Sequence, residues 1–365
     1  MKTIAEQTQN LLKIIGAYDT PNRAYKKTEV LAASEAHNIP IRYVRNLFSK
    51  EYRAHRGSYS FHAIVKAFPL NPIDKKNAEN EIQSIVSEHR FVPEADKTFV
   101  AWGEYSNIVE IIQSQMFYPA YIFGLSGNGK TKMIEQACAK LSREYIRVQI
   151  TPETDEDDLI GGFRLVNGET VFAKGPVLKA MENGAILLLD EIDRATNKIM
   201  CLQGILEGAP YLVKKTGQVI RPAAGFNIFA TANTQGRGSA DGRFSGASIL
   251  DEAFLERFTI AVEQEYPSIA VEKRIVINHM KHYGKVTEAE QNFADKLVRW
   301  SSIIRKTYLE EGIDDLVSTR RLCHIVQTYA IFKDEEKAIK MCITRFDSET
   351  REAFLDLYSK LNETL

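Results

Sequence analysis

Cysteine is scarce in this chain. There are four in 365 residues, Cys138, Cys201, Cys323 and Cys342, and no two form a C-x-x-C pair. Each lies in a helical or apolar setting, so a disulfide framework is excluded and reduced core thiols in a cytoplasmic protein are expected. An excess of one charge is also lacking: Lys plus Arg number 47 against 48 for Asp plus Glu. No global field therefore argues for nucleic acid or an acidic partner, and any such partner must be read from local charge. No apolar run approaches the about eighteen residues that a membrane span needs. The opening "MKTIAEQTQNLLKIIGAY" breaks every apolar pair with polar residues, so no export signal is expected either. Internal repeats, low-complexity tracts and clusters of His and Cys with ligand spacing are absent from the sequence, so any metallated substrate would belong to a partner.

What is present is a globular composition with 44% hydrophobic residues, enough to bury a core and to divide into two or three domains. The most informative stretch is "YIFGLSGNGKTKMIEQA", residues 121 to 137. Its Gly124, Gly129, Lys130 and Thr131 satisfy G-x-x-x-x-G-K-[ST], with Gly127 as a further hinge. A triphosphate needs several donors converging on its oxygens, and a glycine-rich turn lets successive backbone N–H groups point into one concavity. Gly124, Leu125, Ser126, Gly127, Asn128 and Gly129 are the expected cradle. Lys130 would add a point charge on the β and γ phosphates, and the Thr131 hydroxyl would hold a magnesium ion. "AYIF" before the turn reads as a buried strand. "KTKMIEQACAKLSREY" after it reads as a helix, with Met133, Ile134, Ala137, Cys138 and Leu141 at helical spacing.

Three more strand candidates follow, "YIRVQI", "AILLLD" and "FNIFATA", each ending in polar residues as strand ends at a site do. "AILLLD" delivers Asp190 and Glu191. Asp190 is expected to hold the magnesium hydration shell and Glu191 to orient or deprotonate the attacking water. Asn233, just past "FNIFATA", offers a neutral amide for the γ phosphate or the water. Arg257 sits at the end of the short helix in "ILDEAFLERF", where a surface ion pair is the ordinary use of a lone arginine. Beyond Pro267 the pattern is entirely helical, with amphipathic stripes in "EAEQNFADKLVRWSSIIRKTY", "STRRLCHIVQTYAIF" and "SETREAFLDLYSKL".

This order of motifs resembles the AAA+ ATPases over about residues 95 to 350. "DLIGGFRLVNGETVFAKGPVLKAMENGAILLLDEIDRA" and "LVKKTGQVIRP" are similar to the branch with a hairpin inserted in the second helix, the MoxR-like and cobaltochelatase ATPase-subunit group. "FVPEADKTFVAWG" and the glycine-rich "ATANTQGRGSADGRFSGASILDEAFLERF" look like the cobaltochelatase subunit type. Departures are present: Glu256, Arg257 and Phe258 stand where that subunit has an Asp-Arg-Trp-like stretch. The "ANTQGRGS" sequence also lacks the Met-Asn-Thr-Ala-Asp pattern of the GTP-specific restriction relatives, which favours ATP over GTP.

The resemblance implies an α/β fold: a P-loop core with a central parallel sheet flanked by helices, a C-terminal helical lid and a small N-terminal helical domain. The expected divisions are residues 1–77, a basic adaptor; 78–265, the ATPase core with two inserted hairpins; and 266–365, the lid. It further implies that Lys130, Thr131, Asp190, Glu191 and Asn233 carry the roles derived above. Arg257 becomes an arginine finger for a neighbouring subunit's ATP, and Arg320 becomes the lid's sensor arginine, with Arg321 adjacent and able to exchange with it. ATP and Mg2+ are the implied substrate and ion. The implied assembly is a homo-oligomeric ring, usually of six, acting on a separate protein with a von Willebrand A domain.

Two local charge features remain. Hairpin turns are expected at Asn167 and Gly168 and at Lys214, Lys215 and Gly217; the two lysines could grip phosphates or an acidic peptide at a pore, or serve only as solubilising charges. Residues 20 to 66 hold nine Lys or Arg against three Glu, and the chain from about Thr28 to Phe68 reads as short helices. The adopted reading is an adaptor with a basic rim for a protein partner. The alternative is a helix-turn-helix-like unit of a DNA-directed motor, in which Arg42, Arg45, Arg53 and Arg56 meet phosphates while Tyr43, Tyr52 and Tyr59 stack or pack against them. DNA titrations separate the two: a motor should lose affinity steeply between low and moderate salt, and absence of binding at low salt removes that alternative.

Overall fold

The computed structural model describes residues 11–12, 24–36, 53–55, 58–60, 91–166, 169–238 and 246–364. Two compact units divide the chain, Met1–Glu88 and His89–Leu365. In the first, β1 (Ala24–Lys26) runs into α1 (Lys27–Ala36), and β2 (Arg53–His55) and β3 (Ser58–Ser60) complete an antiparallel sheet of order β1-β3-β2. An all-helical N-terminal segment was expected from the sequence, and these strands correct it. Tyr25 is fully buried at the centre of β1. Three-residue strands are too short to display a period of two, so the pattern could not announce them. Arg42, Arg45, Arg56, Tyr43 and Tyr52 lie outside the described residues, as do Asn167 and Gly168.

The second unit begins with a loop from Phe91 and then α2 (Tyr105–Ser114), β4 (Ala120–Phe123), α3 (Lys130–Lys140) and β5 (Tyr145–Gln149). Next come α4 (Glu156–Leu159), the hairpin of β6 (Gly161–Val166) and β7 (Glu169–Lys174), α5 (Pro176–Asn183) and β8 (Ile186–Asp190). Two 3-10 turns lead to α6 (Gln203–Leu206), a second hairpin of β9 (Tyr211–Val213) and β10 (Gln218–Ile220), then β11 (Asn227–Thr231), α7 (Glu252–Leu255) and β12 (Ile260–Glu263). The five strands β12-β4-β11-β8-β5 form one sheet, parallel at every pairing. Both expected hairpins are present. Lys215 is not a free charge on its turn: it donates to the Asp157 carboxylate and, at 3.2 Å, to the Gly161 carbonyl at the base of the other hairpin.

Period-two alternation sorts the sheet's side chains into two cores. Leu187 and Leu189 of β8 pack with Tyr121, Ile228 and α5 on one face, while Ile186 and Leu188 pack with Ile122, Phe229, α2 and α3 on the other. A strand covered on both faces must be apolar throughout, which is why "ILLLD" shows no alternation in sequence. Local signals fix the flanking helices. Pro176 occupies the first turn of α5, where its missing N–H is no loss, and Gly184 ends it in the left-handed region. The fifth strand, "IAVE", is an edge strand that was not anticipated, since its residues are only partly covered.

From Ser268 the chain is helical: α8 (Ile269–Tyr283), α9 (Glu288–Leu309), α10 (Thr319–Phe332), α11 (Glu335–Ile343) and α12 (Ser348–Thr364). Thr287 and Glu290 close a capping box at the start of α9. These helices have their own core around Trp300, Phe293, Leu297 and Ile325. The fully buried Trp300 donates its Nε1–H to the Phe354 carbonyl at 2.8 Å and meets the Phe354 and Tyr358 rings edge-on. No described helix is long and apolar enough to cross a membrane. Trp300→Ala removes the largest side chain of this core, and chemical denaturation should show a loss of about 3–5 kcal/mol; a loss below about 1 kcal/mol would mean the helical core does not depend on it.

Candidate functional site

The turn after β4 is shaped by what lies behind it. Gly124 adopts φ 139, and a Cβ there would lie 2.3 Å from the Gln264 carbonyl oxygen, so no other residue fits. Gly127 adopts φ 73 and packs against the first residues of α10, where a Cβ would meet Ser318 Oγ at 2.7 Å. The turn thus closes tightly enough for α3 to begin at Lys130, directly after Gly129.

Lys130 is buried, at 7% exposure. Its ammonium donates to the Gly124 carbonyl at 2.6 Å and the Leu125 carbonyl at 3.0 Å, with Asn128 Oδ1 and Asn233 Oδ1 both at 3.4 Å. Burial lowers its pKa to about 8, opposed by the nearby Asp193, Asp190 and Glu191 and reinforced by Arg320. Thr131 donates to Asp190 Oδ1 at 2.8 Å. The Thr231 hydroxyl donates to the same oxygen, and Arg147 reaches Oδ2 from β5 with its Nε at 2.9 Å. Asp190 is therefore held on both oxygens by three side chains from three elements.

Glu191 adopts a left-handed φ of 57, which is uncommon for a residue with a side chain. It follows β8 directly, its N–H reaches the Thr231 hydroxyl at 3.3 Å, and its carboxylate pairs with Arg194 Nε at 3.0 Å. Asn233 is oriented by Asp193, whose Oδ2 accepts from the backbone N–H groups of Asn233 at 2.8 Å and Thr234 at 3.1 Å. The other oxygen of this buried carboxylate has no hydrogen-bond partner among the described residues.

A cleft of about 520 Å3 runs from these groups to the helical segment. Its wall includes Ser126 through Thr131, Asp190, Glu191, Asn233 and Arg320, so the structure brings these expected residues together. Gly124 and Leu125 take part through their carbonyls on Lys130. Arg321, which the sequence left interchangeable with Arg320, is not among the described residues lining the cleft. Arg257 is not among them either: it pairs with Glu207 at 2.8 Å on the surface and also donates to the Ala253 carbonyl. Phe99, Trp102, His279 and Tyr283 also line it, Trp102 lying against Gly129. Burial lowers the pKa of His279.

Several contributors were not singled out in the sequence. Arg147 had a signal, an arginine amid the apolar residues of "YIRVQI", as did Asp193, the third carboxylate of "DEID". Thr231, Gln264 and Tyr266 had none, because their partners come from distant parts of the chain. The oxygen set of Thr131 and Asp190, 2.8 Å apart at the phosphate-binding turn, suits a hard divalent cation. The donor-lined turn with a buried ammonium suits a polyphosphate.

Binding such an anion raises the Lys130 pKa, because it favours the charged form. Below pH 8 the free protein already carries the charge, and above it binding must take up a proton. Triphosphate affinity should be flat below pH 8 and fall above it, approaching about tenfold per pH unit, in binding titrations from pH 7 to 9.5. Lys130→Arg should flatten that fall, since guanidinium does not titrate there.

Comparison with known proteins agrees with this geometry. Residues 120–258 match the family described as AAA domain (dynein-related subfamily), and residues 280–361 match the CbbQ/NirQ/NorQ C-terminal family. Protein NorQ of Paracoccus denitrificans (strain Pd 1222) is 31% identical over 247 residues, 66% of this chain and 84% of that protein. Aerobic cobaltochelatase subunit CobS of a Sinorhizobium species is 27% identical over 219 residues, 58% of this chain and 65% of the relative. Midasin of Giardia intestinalis is 31% identical over 166 residues, but these are 44% of this chain and 3% of that much longer protein. With an AAA domain joined to a CbbQ/NirQ/NorQ C-terminal domain, and with homology to NorQ and CobS, the chain belongs to the MoxR-like AAA+ ATPases.

Proposed function

We propose that this chain hydrolyses ATP to ADP and phosphate in a ring of its own copies, usually six, and uses the cycle to remodel a separate protein partner. The observation that carries the reading is the convergence of Lys130, Thr131, Asp190, Glu191, Asn233 and Arg320 on one cleft while Arg257 stays outside it. The backbone N–H groups of the turn and the Lys130 ammonium bind the phosphates. Thr131 and Asp190 would hold magnesium, which would supply positive charge to neutralise the charge developing on the phosphates. Glu191 orients or deprotonates the attacking water, and for this its carboxylate must leave Arg194. Asn233 places its amide near the γ phosphate, on a loop fixed by Asp193. Arg320 adds charge from the helical lid.

Arg257 lies on the surface, where its ion pair with Glu207 contributes at most about 1 kcal/mol. A guanidinium held only by that pair and the Ala253 carbonyl among the described residues can exchange them for a neighbour's phosphates. Each site would then be complete only when a second copy arrives, so ATP favours the closed interface and hydrolysis releases it. The relative CobS is by name one subunit of a larger enzyme, which accords with a client on another chain, such as a von Willebrand A protein or a chelatase-like partner. Residues 1–77 serve as the adaptor in this reading, 78–265 as the motor and 266–365 as its lid, in the cytoplasm.

Mixing two inactive variants tests the ring. Arg257→Ala and Lys130→Ala should each lose hydrolysis by at least about a hundredfold. Mixed rings should recover part of it, because some interfaces pair an intact cleft with an intact arginine. No recovery in demonstrably mixed rings removes the shared site. Glu191→Gln should still bind ATP yet turn over poorly, and wild-type turnover would remove Glu191 from the catalytic role.

A further inference from the structure

The phosphate-binding turn is held from behind by the hinge and the lid. Tyr266 lies between β12 and α8, where the sheet core gives way to the helical segment. Its hydroxyl donates to the Ser126 carbonyl at 2.6 Å. The next carbonyl, Gly127, accepts the Arg320 backbone N–H at 3.2 Å. That N–H belongs to the first turn of α10, where a helix has no internal acceptor for it, so the turn's carbonyl satisfies an otherwise orphaned donor. Asn128 donates its side-chain amide to the Gln264 carbonyl, also in the hinge.

A trans peptide unit is planar, with its C=O and N–H antiparallel. Fixing the Ser126 carbonyl toward Tyr266 therefore fixes the Gly127 N–H in the opposite direction. Fixing the Gly127 carbonyl toward α10 does the same for the Asn128 N–H. Both residues line the cleft.

The two outer partners are themselves joined by a buried ion pair. Arg305 sits over the Tyr266 ring, with its guanidinium carbon 4.0 Å from the centroid. It donates Nη2 to Glu272 Oε1 at 2.7 Å, Nη1 to Oε2 at 3.0 Å and Nε to the Val317 carbonyl at 2.7 Å. Glu272 is 1% exposed and also accepts the Thr319 hydroxyl at 2.6 Å and the Ser301 hydroxyl at 3.5 Å. Thr319 is the residue before Arg320. One continuous set of contacts thus runs from Ser126 through Tyr266, Arg305, Glu272 and Thr319 to Arg320, and back to Gly127.

We propose that Tyr266 and the amino end of α10 are positioning elements for phosphate binding: they hold the Ser126 and Gly127 carbonyls outward, so the hinge and lid set the affinity of the turn for a nucleoside triphosphate. The inference rests on the nucleotide site proposed above and adds the direction of coupling. A lid displaced from this contact frees two peptide units to rotate, and the cradle loses oriented donors. Ordering the cradle with a ligand in turn favours the lid in place, because the coupling is reciprocal.

The test uses the full chain carrying Glu191→Gln, so that turnover does not intrude, with a fluorescent N-methylanthraniloyl ATP and magnesium as the probe. Tyr266→Phe keeps the ring under Arg305 and removes only the hydroxyl. It should weaken binding by about fivefold, the worth of one net hydrogen bond. Thr319→Val cuts the same loop at its other side and should also weaken binding. The double variant should lose much less than the product of the two losses, because either cut frees the same element. The melting temperature without nucleotide is read alongside, since a merely structural role would lower it and leave affinity alone. Binding by the Glu191→Gln parent with an unchanged dissociation constant in Tyr266→Phe overturns this proposal alone, and so do losses that multiply independently. Absence of binding by the parent overturns the nucleotide site and this proposal with it.

Discussion

The burial of the Lys130 ammonium is the constraint on which the rest of the site depends. A charged group this far from water is tolerated only if oxygens of the protein replace its hydration. Here they come from two carbonyls of its own turn, Gly124 and Leu125, and from the side-chain amides of Asn128 and Asn233. Those carbonyls can face inward only because the turn is glycine-rich, and the turn can close only because Gln264 and the start of α10 pack against glycines. One lysine thus ties together β4, the turn, the loop after β11 and the hinge. The lowered pKa of Lys130 records how incompletely the protein replaces water there, and a phosphate anion would complete the set.

Around that charge the acidic groups are separated by what holds them. Asp190 is gripped on both oxygens by Thr131, Thr231 and Arg147, Asp193 is consumed by the backbone of Asn233 and Thr234, and the Glu191 carboxylate pairs with Arg194 alone among the described residues. Three carboxylates within four residues therefore differ in freedom: one is fixed where an ion would sit, one fixes a loop, and one can change partner. Chemistry that needs a mobile base next to a rigid ion site draws on that difference.

The helical segment stands on its own core around Trp300, yet its first helix and the start of α10 are pinned by the Glu272–Arg305 pair. Buried pairs of this kind add little net stability compared with apolar replacements, while removal of one partner is costly. Their value lies in direction: the fork of Arg305 selects one arrangement of hinge, α8 and α10, and through Tyr266 that arrangement reaches the phosphate turn.

The sequence by itself determined the sheet strands "AYIF", "YIRVQI", "AILLLD" and "FNIFATA", the two hairpins and the main lid helices. These rest on local patterns: apolar runs, caps and glycine turns that act within a few residues. It also determined the cleft-forming set of Lys130, Thr131, Asp190, Glu191 and Asn233, because each follows a strand end that the pattern marks. The tertiary structure alone decided the rest. Three-residue strands near the N-terminus and the edge strand "IAVE" are made by their partners and leave too short a trace to read. That Arg320 rather than Arg321 lines the cleft depended on helix rotation against the turn, and the contacts of Lys215 with Asp157 and Gly161 on the folding of one hairpin over the other. Tyr266 meets Ser126 across 140 residues of sequence; no local pattern carries a contact of that range, because only packing brings its two ends together.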